Sequence, residues 1–510
     1  MSADESAHPT PPPVARTAAL MHRGLGLVFL VAAVSYWTQF PGLVGTRGLM
    51  PHDALMRQAH AFPGVGFFDF PTLGWFVTGN GWMHVQCALA TLGAMGMLAG
   101  IVPAVSAFVA WFFYLSLVHL GQTFFGYQWD ALLLEAGFLA IFLAPPVLRW
   151  RLRSATAAPS RLIFILVRWL LFRLMFASGL AKLVGGDVTW RNLTALTYHF
   201  QTQPIPNAVA WYAHQLPESV LRFMTGTALA LELVPPLMLF APRAWRAGAG
   251  IALIALQFGI AFSGNFAYFN LLSVVLCLSA FDDRHLARLP IVGRRWFAVH
   301  AESTPPPVGR AWPRWVIVPL AALILVTSTH EVMRRFGLLP RQGVPGIRTV
   351  VATTQGFNLV NNYALFVAMT TSRPEIEFEA SRDGETWRPY RFKYKPDAVS
   401  KRPRQIAPFQ PRLDWQLWFT AMRPCDRRSL AWRMSERLLA AEPSVLRLLD
   451  EAPFGDEPPA MVRSTLYEYR FTTSEERRET GDWWVRDGKG SYCPTMGEAA
   501  APGARGDSTP

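Results

Sequence analysis

Long apolar stretches alternate with short polar segments from residue 20 to about residue 330. A helix that crosses the hydrocarbon core of a bilayer needs about 20 apolar residues. The sequence fits this template about nine times, which predicts transmembrane helices over residues 20–40, 82–101, 103–120, 130–148, 162–183, 220–240, 248–262, 266–281 and 315–329. The seventh and eighth stretches are short and close together. They are predicted to form either a tight helical hairpin or one broken helix.

The pattern changes after residue 356, where apolar and polar residues alternate with a period of two. Such alternation is typical of half-buried strands, and Asp383-Gly384 between two of these runs predicts a hairpin turn. A helical spacing interrupts the pattern over residues 429–450. We therefore predict a polytopic α-helical membrane protein with a C-terminal β-rich extracytoplasmic domain.

Four regions follow from these patterns. They are a disordered cytoplasmic N-terminus over 1–19, a multi-span transmembrane domain over 20–331, a β-rich domain over 350–497 and a disordered tail over 498–510.

Composition agrees with a membrane protein, because 51% of the residues are hydrophobic and only 16% are charged. Soluble domains contain about 25% charged residues. The net charge of +13 is explained by arginines in alternate loops, which the positive-inside rule places in the cytoplasm: Arg149, Arg151, Arg153, Arg161, Arg243, Arg246, Arg284, Arg288, Arg294, Arg295, Arg310 and Arg314. The opposite loops carry only Arg47, Arg57 and Arg191 before the last span. We therefore predict that the basic residues face the lipid bilayer and that the protein does not bind nucleic acid.

This charge pattern predicts that the N-terminus is cytoplasmic and that everything after residue 329 lies on the other side. The expected location is a bacterial inner membrane with the C-terminal domain in the periplasm, or the ER membrane in eukaryotic relatives.

Ionisable side chains within apolar spans are costly, so each is either a paired structural group or a functional one. The set includes Asp130, Glu135, Arg168, Arg173, Lys182 and Glu232. One interpretation is that Glu135 and Glu232 neutralise Arg168 and Arg173. Lys182 closes the fifth span, where it is either a lysine that reaches towards the interface or a base partly withdrawn from water.

The loop after the fifth span carries aromatic, histidine and proline residues that suit the membrane interface. Its candidate functional residues are His199, Gln203, Pro204, Asn207 and His214. The two histidines complete no zinc-binding spacing, and no cofactor motif is present, so neither a metal nor a cofactor is predicted. Cys425 and Cys493 both lie in the domain predicted to be outside, where a disulfide is allowed.

Several segments together resemble the lipase maturation factor family, in a bacterial-type form. They cover nearly the whole chain: Arg23-Gly-Leu-Gly, 45–51, Gly121-Gln122, 129–140, 168–176, 202–217, Ser263-Gly-Asn265, Phe281-Asp-Asp283, Asn361-Asn-Tyr363, 392–396, 407–418 and Pro453-Phe454.

The resemblance implies a membrane protein that assists the folding of exported proteins such as lipases through its non-cytosolic loops and C-terminal domain. Within that domain the candidate client-binding residues are Asp414, Trp415 and Trp418. No oligomeric state is predicted.

A shorter segment supports an alternative. Residues 178–183 followed by Trp190 resemble a segment of the membrane-embedded vitamin K-dependent carboxylases. That resemblance implies an intramembrane enzyme that uses Lys182 as a base on a lipid-soluble ligand.

Overall fold

A computed structural model describes residues 14–146, 159–288, 312–340 and 342–498. Its first part is almost entirely helical. In chain order the α-helices are α1 Ala15–Trp37, α2 Phe40–Leu43, α3 His52–Ala61, α4 Asn80–Ala99, α5 Pro103–Leu120, α6 Gln128–Leu143, α7 Arg161–Val184, α8 Val188–Arg191, α9 Ala195–Thr202, α10 Ala208–His214, α11 Glu218–Met238, α12 Arg243–Ser263, α13 Phe269–Cys277, α14 Asp283–Leu286, α15 Arg314–Arg335 and α16 Pro345–Gln355. Short 3-10 helices occupy Leu73–Trp75, Gln122–Phe125 and Leu278–Ala280.

Within the described residues, seven helices are long and apolar enough to cross a membrane: α1, α4, α5, α7, α11, α12 and α15. The other two predicted spans are also helical but shorter. Helix α6 has 16 residues, and the apolar helix over 269–280 combines α13 with a 3-10 turn. The prediction of a polytopic helical membrane protein is confirmed, with about nine spans as an approximate count.

The seventh and eighth apolar stretches form a helical hairpin. Helices α12 and α13 pack against each other, and residues 264–268 connect them. At the far side of the pair, Arg243 at the start of α12 lies 2.7 Å from the Asp282 carboxylate that follows the 3-10 turn. The two elements are therefore antiparallel and not two halves of one helix.

Within residues 342–498 the structure contains six strands: β1 Pro374–Ser381, β2 Arg388–Pro389, β3 Arg391–Phe392, β4 Leu449–Glu451, β5 Met461–Phe471 and β6 Trp484–Gly497. The period-two runs predicted β1, β2, β3 and β5, but not β4 and β6. One antiparallel sheet has the order β2-β1-β5-β6, and β3 pairs with β4. Four helices accompany them: α17 Arg412–Ala421, α18 Leu430–Leu439, α19 Pro443–Leu446 and α20 Ser474–Thr480.

The predicted hairpin turn lies between β1 and β2, which pair in an antiparallel manner. The Asp383 carboxylate accepts the N–H groups of Glu385 and Thr386 at 2.9 and 2.7 Å, and Gly384 has a φ of 77°. A left-handed conformation costs glycine little because it has no Cβ. The dipeptide thus supplies both the turn geometry and its capping carboxylate.

The C-terminal domain contacts one end of the helical bundle, which we call the domain end. Hydrogen bonds join the domain to Ser35 and Gln39 at the end of α1, to Gln128 of α6 and to Asn265 between α12 and α13. Further bonds reach the loop after α7, at Trp190, Asn207 and Trp211. The domain is therefore joined to four separate segments of the bundle.

The structure differs from the predicted N-terminal boundary, because α1 begins at Ala15 and residues 15–19 are helical. Residues 1–13 and 499–510 lie outside the described residues, as do the predicted cytoplasmic arginines at 149, 151, 153, 294, 295 and 310. Arg161, Arg243 and Arg314 begin α7, α12 and α15 at the end opposite the domain.

Candidate functional site

A buried ion pair connects α6 to α17 at the domain end. Asp130 in the first turn of α6 receives Arg412 Nη2 at 2.9 Å and Nη1 at 3.1 Å, and both side chains are fully buried. Tyr114 and Tyr268 donate hydroxyl bonds to the same carboxylate at 2.6 and 2.5 Å. Because a buried charge is tolerated when it is paired and hydrogen-bonded, this cluster fixes the orientation of the domain on the bundle.

A second buried carboxylate of α6 makes a parallel connection. Glu135 forms an ion pair with Arg173 of α7, as one interpretation of the sequence predicts. It also accepts the Tyr363 hydroxyl at 2.6 Å and the Asn361 N–H at 3.0 Å. Asn361 and Tyr363 belong to the segment that leads into the β-rich domain, so α6 holds that domain through both of its acidic residues.

Arg168 and Glu232 differ from the expected pairing. Arg168 donates to the Ser279 carbonyl at 2.8 Å and lies over the Phe164 ring. Glu232 instead binds Lys182, with Nζ 2.5 Å and 2.6 Å from its two carboxylate oxygens. The neutralising partner of Glu232 is therefore a lysine in the last turn of α7.

Lys182 does not reach into the solvent, because only 7% of its side chain is exposed. Besides Glu232 it contacts the Ser178 hydroxyl at 3.4 Å, and its ammonium lies 5.0 Å from the centre of the Trp190 ring. The structure thus contradicts the interpretation of a lysine that reaches towards the interface. The role of Lys182 as a catalytic base stays a prediction.

The Lys182–Glu232 pair lines a cavity of about 780 Å³, including the space at its mouth. Most of its wall is apolar and comes from α7, α11, α12 and α13, together with residues 365 and 366. We call this space the bundle cavity. Its polar lining residues are Gln128, Ser178, Lys182, His199, Glu232 and Gln257.

His199 contributes a ring to the wall of the bundle cavity. The ring lies edge-on to Phe366, with centroids 4.8 Å apart, and nearly parallel to Phe266 at 6.1 Å. Burial, together with the charge of Lys182, lowers the pKa of His199 to about 4. The imidazole is therefore neutral at pH 7.

The other predicted loop residues hold the loop against the domain and the hairpin. Gln203 donates to the Ser263 carbonyl at 2.9 Å, and the Pro204 carbonyl accepts from Arg373 at 2.8 Å. Asn207 caps α10 through the N–H of Ala210 and bonds Gln405 of the domain at 2.6 Å. These contacts are structural, since each of these groups forms a hydrogen bond that joins two segments of the chain.

His214 lies at the end of α10, with its ring 5.7 Å from that of Phe471 in β5. Burial lowers its pKa. Within the described ranges, no group of three or more histidine, cysteine, aspartate or glutamate residues could hold a metal ion.

The predicted client-binding residues of α17 are buried, so this prediction is wrong. Trp415 and Trp418 are 3% and 4% exposed, and Trp415 packs edge-on against Trp129 of α6 at 5.0 Å. Asp414 accepts the N–H groups of Tyr394 and Lys395, each at 2.9 Å, while burial raises its pKa. All three residues serve the interior of the domain and its junction with the bundle.

Cys425 and Cys493 form a disulfide, with their Cα atoms 5.5 Å apart. It joins β6 to the segment that precedes α18. Cys87 and Cys277 are free and buried within the bundle.

The sequence did not single out Arg412 and Arg373, although both are central to these junctions. Arg412 completes the Asp130 cluster, and Arg373 donates to the carbonyls of Gln201, Gln203 and Pro204 in the loop. Both arginines lie outside the spans, where an arginine is ordinarily solvated. The feature of the sequence that could have led to Arg412 is Asp130. An acidic residue within an apolar span requires a cation from elsewhere in the chain.

Comparison with known proteins gives the same assignment over both parts of the chain. The lipase maturation factor transmembrane domain matches residues 16–288, and the lipase maturation factor C-terminal domain matches residues 359–494. No solved structure matches the chain.

Named relatives align over nearly the whole sequence. Lipase maturation factor 2 of Gallus gallus is 33% identical over 95% of this chain and 82% of its own length. Lipase maturation factor 1 of Bos taurus is 32% identical, over 94% of this chain and 89% of its own. Lipase maturation factor 2 of Homo sapiens is 31% identical, over 94% and 82%. The chain is therefore an integral membrane protein that belongs to the lipase maturation factor family.

Proposed function

We propose that this protein assists the folding or maturation of exported proteins, with lipases as the client class that the names of its relatives indicate. The observation that carries this proposal is the match of both family domains along one chain. The proposed unit is the C-terminal domain together with the loop over 184–219, because these two parts are joined by Arg373, Asn207 and Trp211.

We infer that this unit lies on the non-cytoplasmic side, in the periplasm if the membrane is a bacterial inner membrane. Two observations support this sidedness. Arginines begin three helices at the end opposite the domain, as the positive-inside rule expects of the cytoplasmic end. The domain also contains the Cys425–Cys493 disulfide, and disulfides persist in oxidising compartments.

The loop offers apolar surface that a partly folded client could contact. Val188 of α8 is 62% exposed, Tyr212 of α10 is 59% exposed and Leu216 is 40% exposed. Exposed apolar side chains are typical of surfaces that bind proteins or membranes when they form a patch, and Tyr212 and Leu216 are four residues apart at the end of α10. The proposed mechanism is reversible holding of the client on this surface until its own core forms.

The test is crosslinking in the native host with the full-length protein, followed by identification of the exported proteins recovered. Tyr212→Ser combined with Leu216→Ser should reduce client recovery several-fold, because it removes apolar contact area. The matched control is Leu338→Ser, which changes an exposed leucine outside the loop and should leave recovery unchanged. Recovery of no exported protein, or an equal loss in the control, would count against the proposal.

A further inference from the structure

The bundle cavity has the kind of wall that ligand sites have. Small-molecule sites are mostly apolar with a few polar groups, and the lining of the bundle cavity follows that pattern. Leu174 and Met175 line the wall on α7, and Leu256 and Ile260 line it on α12. This stretch of the wall suits hydrocarbon, because its side chains offer water no hydrogen-bond partners.

Lys182, His199 and Glu232 line the cavity towards the domain end, whereas Gln257, deeper in the bundle beside Met175, already accepts a hydrogen bond from Asn270. Leu174 and Lys182 both lie on α7, eight residues apart, which corresponds to about 12 Å at the helical rise. Lys182 and His199 are on the side of the loop, and Leu174 lies deeper in the bundle. An amphiphile with its head group towards the domain end and its chain along α7 matches this gradient.

His199 has hydrogen-bonding capacity that the rest of the site does not use. A neutral imidazole has one N–H donor and one nitrogen acceptor. Among the described residues the ring makes contacts with aromatic side chains, and none of the hydrogen bonds found there involves its nitrogens. A polar ring that lines a cavity in this way can accept from and donate to a ligand.

The charges around the cavity balance. The Lys182 ammonium and the Glu232 carboxylate neutralise each other, and His199 is uncharged at pH 7 because its pKa is lowered to about 4. A carboxylate or phosphate head group would add an unpaired charge where burial is expensive. The chemistry therefore favours an uncharged head group.

We propose that the bundle cavity binds an uncharged lipid alcohol, with its hydroxyl on His199 and its hydrocarbon chain along Leu174, Met175 and Ile260. A hydroxyl both donates and accepts, which matches the two nitrogens of a neutral imidazole. Diacylglycerol and a long-chain alcohol share this chemistry and represent two sources of the same ligand. The inference concerns the transmembrane bundle and does not require the client-holding role.

The experiment uses the full-length protein in phosphatidylcholine nanodiscs with a photoactivatable diacylglycerol. Saturable labelling is expected on peptides of α7 and α12. Unlabelled diacylglycerol or a long-chain alcohol should compete, and whichever competes more strongly indicates the source. Labelling that does not saturate, or equal competition by a fatty acid of the same chain length, would overturn the proposal. Competition by a long-chain quinone without competition by either alcohol would also overturn it, because a quinone carries no hydroxyl.

Variants test the named contacts. His199→Phe keeps a ring but removes both nitrogens, and it should weaken diacylglycerol binding about threefold to tenfold. Leu256→Trp should block labelling by filling the cavity, while Leu237→Trp, at a leucine of α11 that is 56% exposed, should not. If Leu256→Trp fails to fold, His199→Phe still decides, since unchanged affinity in that variant would refute the assigned contact.

Discussion

At the scale of single residues, the buried charges of α6 determine how the two parts of the molecule meet. Arg412 neutralises the charge of Asp130. Arg173 neutralises the charge of Glu135, which also accepts the Tyr363 hydroxyl. Removing one partner of a buried pair leaves an uncompensated charge, which costs more than the pair itself contributes. The cost of such a substitution should therefore greatly exceed that of breaking an exposed pair.

Arg412→Ala should destabilise the protein by about 3–5 kcal/mol, because Asp130 would remain buried without its cation. Arg222→Ala is the matched control, since Arg222 and Glu218 form an exposed pair of the kind worth about 0–1 kcal/mol. The measurement is the denaturation midpoint of the purified protein in detergent. Equal midpoints for the two variants would show that the Asp130 cluster is not a structural junction.

The same pair predicts rescue by a second substitution. Arg412→Met combined with Asp130→Asn should recover much of the stability lost in Arg412→Ala, because no unpaired charge is then buried. Denaturation midpoints of the three proteins provide the comparison. A double variant as unstable as Arg412→Ala would mean that shape and hydrogen bonding matter more there than charge.

At the scale of elements, the apolar pattern predicted where the helices lie, but it did not predict all of the ion pairs between them. All nine stretches contain helix, and the Asp383-Gly384 turn lies where the pattern placed it. Helical periodicity is a local property, whereas the pairing of Glu232 with Lys182 depends on how α7 crosses α11. The client-binding prediction for Trp415 failed for a related reason, since residue type alone does not distinguish an exposed tryptophan from one packed on α6.

The disulfide ties the edge strand β6 to the connection before α18, two elements 68 residues apart in sequence. Closing a loop of this length restricts the unfolded chain, and such a bond contributes about 2–4 kcal/mol. Cys425→Ala combined with Cys493→Ala should lower the free energy of unfolding of the C-terminal domain by that amount, measured by denaturation in detergent. Cys277→Ala, which changes a buried free thiol in the bundle, should leave the unfolding of this domain unchanged.

At the scale of the whole molecule, the bundle and the β-rich domain form one connected body, because four bundle segments bond the domain directly. The transmembrane helices and the β-rich character of the C-terminal part could be predicted from sequence patterns. The junction could not, because its ion pair joins residues 282 positions apart. The proposed sidedness rests on the arginine distribution and on the Cys425–Cys493 disulfide, and labelling of single cysteines measures it directly.

Single cysteines introduced at Arg153 and Arg388 should react with a membrane-impermeant thiol reagent from opposite sides of the membrane. Arg388 is exposed on β2, and the native background is low because Cys87 and Cys277 are buried while the other two cysteines are bonded to each other. Reaction of position 153 only from the cytoplasmic side would support the charge-based orientation. Reaction of both positions from one side would overturn it.

The distance in sequence between Asp130 and Arg412 has a consequence for biosynthesis. Synthesis proceeds at about 5–20 residues per second, so the ribosome adds Arg412 on the order of tens of seconds after Asp130. During that interval the nascent bundle contains Asp130, while Arg412, which neutralises it, has not yet been synthesised. A chain truncated before α17 would keep that defect permanently, so its bundle should be destabilised in the same way as that of Arg412→Ala.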